Sequence, residues 1–94
     1  MAQIDRIRED LAAIARKRLS PEEARRAAQR RVAEFVVAAK EFYADEPEPH
    51  ARALEDLAVI AGALARDAKK LPPGPLASTY SDALDAMLAL ARGH

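Results

Sequence analysis

The chain has 94 residues, half of them apolar and only 4% aromatic, and its 15 Lys and Arg are balanced by 15 Asp and Glu. This size supports one domain with a single modest core, and the apolar share excludes a disordered chain. Cysteine is absent, which excludes disulfides, thiolate metal sites and thiol nucleophiles. No apolar run reaches the roughly 20 residues that span a bilayer, and the first residues lack a signal-peptide core, so we expect a soluble, cytoplasmic protein that binds no membrane.

Apolar residues recur at intervals of three and four along the whole chain, which predicts an all-α fold. The four predicted helices cover about 3–19, 21–44, 49–71 and 76–92. The second begins at Ser20, Pro21 and Glu23, because serine is a good N-cap, proline suits the first position and a glutamate at the third completes a capping box. Short connections predict antiparallel neighbours, and hence a single up-down-up-down four-helix bundle over residues 1–94.

Each predicted helix has one apolar face that we expect to form the core. The residues on these faces are Ile4, Ile7, Leu11 and Ile14, then Ala24, Ala28, Val32, Phe35, Val36, Ala39, Phe42 and Tyr43, then Leu54, Leu57, Ile60, Ala61, Leu64 and Ala68, and finally Tyr80, Leu84, Met87, Leu88 and Ala91. Many of them are alanines, and Gly62 interrupts the third helix. Small residues allow close helix approach, but missing side-chain volume can also leave a pocket. Val37 and Val59 are predicted on outer faces and leave dimerisation open.

Basic residues gather around the turns before the second and fourth helices, whereas acidic residues gather at the opposite end of the predicted bundle. The basic residues are Arg16, Lys17, Arg18, Arg25, Arg26, Arg66, Lys69 and Lys70. The three lysines among them lie at predicted helix C-termini, where cations oppose the helix macrodipole, so a structural role accounts for them. Nucleic-acid binding is not favoured, because the chain is neutral overall and no aromatic residues alternate with the basic ones.

Several polar side chains fall within the apolar arcs of the helices. They are Arg8, Arg18, Arg25, Arg31, His50, Tyr80 and Ser81. Most lie near helix ends and can reach water, but Arg8 and Arg31 lie in the middle of their helices and need a partner or solvent. One interpretation is an ordinary ion pair with Asp5 or Glu34. The other is a site for a small anionic molecule between the first, second and fourth helices. Its residues are Arg8, Arg31, Tyr80 and Ser81.

The sequence offers little for metal or nucleophilic chemistry. The two histidines are His50 and His94, and they form no spacing used by metal sites. The hydroxyl cluster at 78–81 has no histidine nearby in sequence to act as a base. We therefore expect no metal ligands, no cofactor and no catalytic residues.

The segment SPEEARRAAQRR (20–31), with its clean cap and uniformly good helix formers, resembles computationally designed, de novo helical bundles. Its excess of arginine over lysine and its abundant alanine also fit a natural protein from a GC-rich genome. The resemblance implies a non-catalytic scaffold or binding module, monomeric or dimeric. A small molecule or a protein partner would then bind in an interior lined by Ala and Gly.

The segments IDRIRED (4–10) and PHAR (49–52) resemble the first and second helices of small all-helical chorismate mutases. This resemblance implies an isomerase that binds a dicarboxylate through inward cations. The matching residues are Arg8, Arg25, Lys40 and Arg52. The chain departs from that family at Pro21, which interrupts the long first helix, and at Ala53, where an acidic residue normally follows the arginine. The isomerase is the alternative to the binding module.

Overall fold

A computed structural model describes residues 3–93, which form four α-helices and their connecting turns. The helices are α1 (Gln3–Arg16), α2 (Pro21–Phe42), α3 (Pro49–Ala68) and α4 (Pro75–Ala91). Every helix contacts the other three, in a body of 41 × 25 × 23 Å. The all-α prediction with four helices is therefore confirmed. None of these helices is both long enough and apolar enough to cross a lipid bilayer.

Three helices end two or three residues earlier than predicted, at Arg16, Phe42 and Ala68, and α4 is shifted by one residue so that it begins at Pro75. Arg18 adopts a left-handed backbone conformation with φ 54°, which ends α1. After α2 and α3, backbone N–H groups bond to carbonyls three residues back at 3.2 and 3.0 Å. These tighter turns replace the last predicted helical residues.

A new helix begins after Ser20, as predicted, and its capping box is complete. The Glu23 N–H donates to the Ser20 hydroxyl at 3.2 Å, and the Ser20 N–H donates to the Glu23 carboxylate at 3.3 Å. Pro21 is the first residue of α2, where its missing N–H leaves no hydrogen bond unmade. These local bonds hold the start of α2 beside the end of α1.

The core consists of apolar side chains contributed by all four helices. They are Ile7, Leu11, Ile14, Ala28, Val32, Phe35, Val36, Ala39, Ala53, Leu57, Ile60, Leu64, Tyr80, Ala83 and Met87. Most belong to the predicted faces. Val37 and Val59 are exposed, as expected.

Part of the predicted core is wrong at the ends of α2 and α4. Phe42 is 78% exposed and Leu88 is 51% exposed, and Ala91 is also exposed. The buried face of α4 is rotated toward Thr79 and Ala83, because small side chains permit close contact with the neighbouring helices. Thr79 tolerates burial because its hydroxyl donates to the carbonyl four residues earlier at 2.8 Å. Ala53, which was not assigned to the core, is fully buried for the same reason of size.

Removal of the Ser20 cap tests its role at the start of α2. We expect Ser20→Ala to lower the free energy of unfolding by about 1 kcal/mol, because the Glu23 N–H loses its acceptor. Ser81→Ala is the matched control, since Ser81 is exposed within α4 and alanine is the better helix former. Urea unfolding of both variants measures the difference. Equal stability of the two variants would contradict the role assigned to the cap.

Candidate functional site

A half-open cleft of about 1190 Å³ lies where the end of α1, the α1–α2 turn and the starts of α2 and α4 meet. Its apolar lining residues are Ile14, Ala15, Leu19, Pro21, Ala24 and Pro75. Its polar lining residues are Arg18, Glu22, Arg25, Ser78, Thr79 and Asp82. The cleft is therefore amphipathic, with an apolar wall and charged groups around it. It adjoins the start of α2, which the Ser20 cap fixes.

The apolar part of the cleft follows from the sequence around the turn. Ile14 is the last buried residue of α1, and Leu19 is half-buried within the turn. Ala24 lies in the first turns of α2 and is only partly covered. Because alanine fills so little space, the start of α2 leaves room between the flanking helices. A larger residue at this position would occupy that room.

Two arginines carry positive charge to the cleft. Arg18 is held there by the left-handed turn that ends α1, and Arg25 projects from the second turn of α2. Glu22 also lines the cleft, but its carboxylate accepts a hydrogen bond from Arg26 at 2.6 Å. Its charge is therefore already matched by a neighbour on the same helix.

Asp82 is the acidic group of the cleft that lies on α4. Burial raises the pKa of Asp82, while the positive charge of Arg25 lowers it and the nearby Asp85 raises it. The net direction is upward, so the ionised form of Asp82 is less favourable here than in water. The hydroxyl of Thr79 donates to Pro75 and is not free to act on a ligand as a donor.

The two arginines of the anion site predicted from sequence form two separate ion pairs. Arg8 donates to Asp67 of α3 at 2.7 and 3.3 Å and to Asp5 at 3.2 Å. The hydrogen bond to Asp67 is the main reason why the pKa of Arg8 is raised. Arg31 donates to Asp10 of α1 at 2.5 Å, and not to the expected Glu34. Both guanidinium groups thus have carboxylate partners within the chain.

Tyr80 and Ser81 differ in their surroundings although they are adjacent. Tyr80 is buried, and its pKa is raised first by that burial and then by Asp67, with Arg8 acting in the opposite direction. Ser81 is exposed. The structure therefore brings Arg8 and Tyr80 together around Asp67. None of the four residues proposed for the anion site lines the cleft.

The four cations implied by the chorismate mutase resemblance do not converge. Arg25 lines the cleft, whereas the Arg52 guanidinium lies 5.1 Å from the ring centre of Tyr43, beyond the far end of α2. The eighteen residues from Arg25 to Tyr43 correspond to about 27 Å of helix. Arg8 bonds to Asp67, and Lys40 is exposed. One small dicarboxylate cannot bridge these positions.

The sequence interpretation placed the pocket in the Ala/Gly interior, but the cleft lies at the α1–α2 turn. A Cβ atom added to Gly62 would meet only the Arg66 side chain, at 3.7 Å, and Gly62 lines no part of the cleft. Arg18 and Asp82 were missed as site residues. No sequence signal singles out the cleft, because α2, α3 and α4 all begin with proline.

Within residues 3–93, no three His, Asp or Glu side chains are grouped so that they could hold a metal ion. Comparison of the chain with protein-family models, curated proteins and solved structures gives no match. The geometry of the cleft is accordingly the basis on which a function is proposed.

The environment of Asp82 predicts a pH-dependent stability. Because the pKa of Asp82 is raised above its ordinary 3.8, ionised Asp82 opposes folding at neutral pH. We expect Asp82→Asn to raise Tm at pH 7 by roughly 2 °C. The gain should shrink as the pH falls through the raised pKa of Asp82, and should vanish well below pH 3.8, where Asp82 is protonated in both the folded and unfolded states.

Glu55→Gln is the control for this prediction, because it removes one negative charge from an exposed position on α3. Thermal unfolding between pH 3 and pH 7, followed by circular dichroism, compares the two variants. A Tm gain for Asp82→Asn that persists unchanged at the acid limit would show that the aspartate charge is not its cause.

Proposed function

We propose that this protein is a non-catalytic binding module in which an antiparallel, up-down-up-down helical scaffold holds a small molecule in the cleft beside the α1–α2 turn. The observation that carries the proposal is the cleft itself, about 1190 Å³ with an apolar wall and convergent charged groups. Ligand pockets are typically about 300–1,000 Å³, mostly apolar, with a few polar groups that orient the ligand. This cleft matches that description once its open mouth is allowed for.

Contacts at the two ends of α2 support the antiparallel arrangement. At its start, the cleft is shared by the end of α1 and the beginnings of α2 and α4. At its other end, the Tyr43 hydroxyl donates to Asp56 of α3 at 2.8 Å, and Arg52 covers the same ring. Chain segments that follow one another are therefore joined by tight turns at alternating ends, which is how antiparallel neighbours connect.

The chemistry of the lining supports binding over catalysis. None of the lining residues within the described range 3–93 is a histidine, and the Thr79 hydroxyl is used within α4. The charged groups there are arginines and carboxylates, which orient a ligand by hydrogen bonds and charge. The regular cap of α2 and the many good helix formers support a scaffold of the designed type.

Nile red, a neutral apolar dye, tests the proposed cleft. We expect saturable binding with increased fluorescence, and a loss of affinity of about tenfold or more in Ala24→Trp, because the indole fills the space beside Ile14 and Leu19. The control is Ala33→Trp, since Ala33 is exposed on α2 and lies in a separate shallow groove with Val37.

Circular dichroism shows whether each Nile red variant remains folded. Saturable binding that is lost only in Ala24→Trp supports the proposed function. An absence of saturable binding to the unmodified chain, or an equal loss in both variants, would overturn it.

The isomerase alternative has its own test. A direct assay of chorismate disappearance, with Arg8→Gln as the inactive control, would favour that alternative if turnover occurred and depended on Arg8. We expect no turnover, because Arg8 is bound to Asp67 and lies apart from Arg52.

A further inference from the structure

We propose that the cleft selects amphipathic anions, with a carboxylate or phosphate head group bound by Arg18 and Arg25 and an apolar tail packed on Ile14, Leu19 and Ala24. This inference rests on the proposed binding function and specifies its ligand class. The three apolar residues and the two arginines all line the same cleft. A molecule that is charged at one end and apolar at the other fits that division.

The two arginines of the cleft are free to bind a ligand. Elsewhere, Arg8, Arg26 and Arg31 each hold a carboxylate of the chain within 3.2 Å, whereas exposed arginines such as Arg6 and Arg30 form no ion pair within residues 3–93. Neither Arg18 nor Arg25 forms an ion pair with any residue of the described range 3–93. A guanidinium group offers a planar fork of N–H donors that matches the oxygens of a carboxylate or phosphate. Such donors beside an apolar wall favour an anionic head group.

The backbone of Arg18 is a second observation in favour of a ligand role. Its φ of 54° lies in the left-handed region, where glycine or asparagine usually ends a helix. The helix macrodipole favours a cation near the end of α1, but it does not require a residue other than glycine in the left-handed conformation. The Arg18 side chain lines the cleft and forms no ion pair within residues 3–93, so an anionic ligand would give it a partner.

The two acidic residues of the cleft weaken its preference for anions without reversing that preference. Glu22 is matched by Arg26 at 2.6 Å. Asp82 lies near Arg25 on the cleft wall, and burial disfavours its ionised form. A bound anion would be repelled by Asp82 and a bound cation attracted by it, so this residue provides a way to reverse the selectivity experimentally.

A set of ligands with the same eight-carbon tail tests the head group. Octanoate, octyl phosphate, 1-octanol and octylammonium are titrated below their micelle concentrations against bound Nile red. We expect one or both anions to bind about tenfold more tightly than octylammonium, with octanol between them. Binding of octanoate alone or octyl phosphate alone supports the inference and identifies the head group. Equal affinity for anion and cation would overturn it.

Variants of the two arginines locate the head group. Arg18→Gly and Arg25→Gln should each weaken anion binding about fivefold or more while changing octanol binding less than twofold. Arg18→Gly should also keep or raise Tm, since glycine accepts the left-handed backbone, so its effect on binding cannot be attributed to unfolding. Unchanged anion affinity in both variants would overturn the inference.

Matched controls for these variants are available elsewhere in the chain. Glu48→Gly makes the same kind of backbone change at the other non-glycine residue with positive φ. Arg30→Gln removes one positive charge from α2 outside the cleft. Both controls should bind the anions like the unmodified chain. Equal losses in the controls and the cleft variants would show a general charge effect and would overturn the inference.

Asp82→Asn removes a negative charge from the cleft, whereas the arginine variants remove a positive charge. It should tighten anion binding and weaken octylammonium binding, each by about threefold, because a negative charge leaves the cleft. A change in the reverse direction would overturn the inference. If Nile red binding is lost in Ala24→Trp but the anions show no preference, the binding function stands and the ligand class is wrong. If Nile red does not bind at all, the binding function itself fails.

Discussion

The capping box at Ser20 is the local constraint on which the rest of this structure depends. Two hydrogen bonds between Ser20 and Glu23, with Pro21 between them, start α2 immediately after the left-handed turn at Arg18. Without this break, α1 and α2 would continue as one helix and could not pack against each other as they do. The cleft is a consequence of this arrangement. Because hydrogen bonds at the cap fix the start of α2, the space beside it need not be filled by side chains.

The charged residues in the middle of α1 form ion pairs within the chain, whereas the arginines of the cleft do not within residues 3–93. The middle of α1 uses its charged residues for internal ion pairs, with Arg8 on Asp67 and Asp10 on Arg31. These partly exposed pairs fix the contacts of α1 with α3 and α2 more than they add to stability. At the α1–α2 turn the pattern changes, because Arg18 and Arg25 face an apolar wall. The cleft thus combines two arginines that form no ion pair within residues 3–93 with two acidic residues, Glu22 and Asp82.

The sequence predicted the features that depend on neighbouring residues. The number of helices, their starting points and the Ser20 cap follow from local propensity and hydrogen bonding. The rotation of α4 and the burial of Ala53 did not follow, because small residues contribute little to an apolar pattern yet decide how closely helices approach. The partner of Arg8 is 59 residues away along the chain. Such a contact, like the position of the cleft, depends on how whole helices pack.

Two departures from the most stable local choice lie at the cleft. Arg18 occupies a left-handed position, and Asp82 is an acid made less acidic by burial. Sequences that obey local rules elsewhere tend to violate them where a site requires it. Glu48 also has a left-handed backbone although it lies outside the cleft, and the following Pro49 favours an extended conformation and so does not account for it. What distinguishes Arg18 is that its side chain lines the same cleft as Asp82 and Arg25.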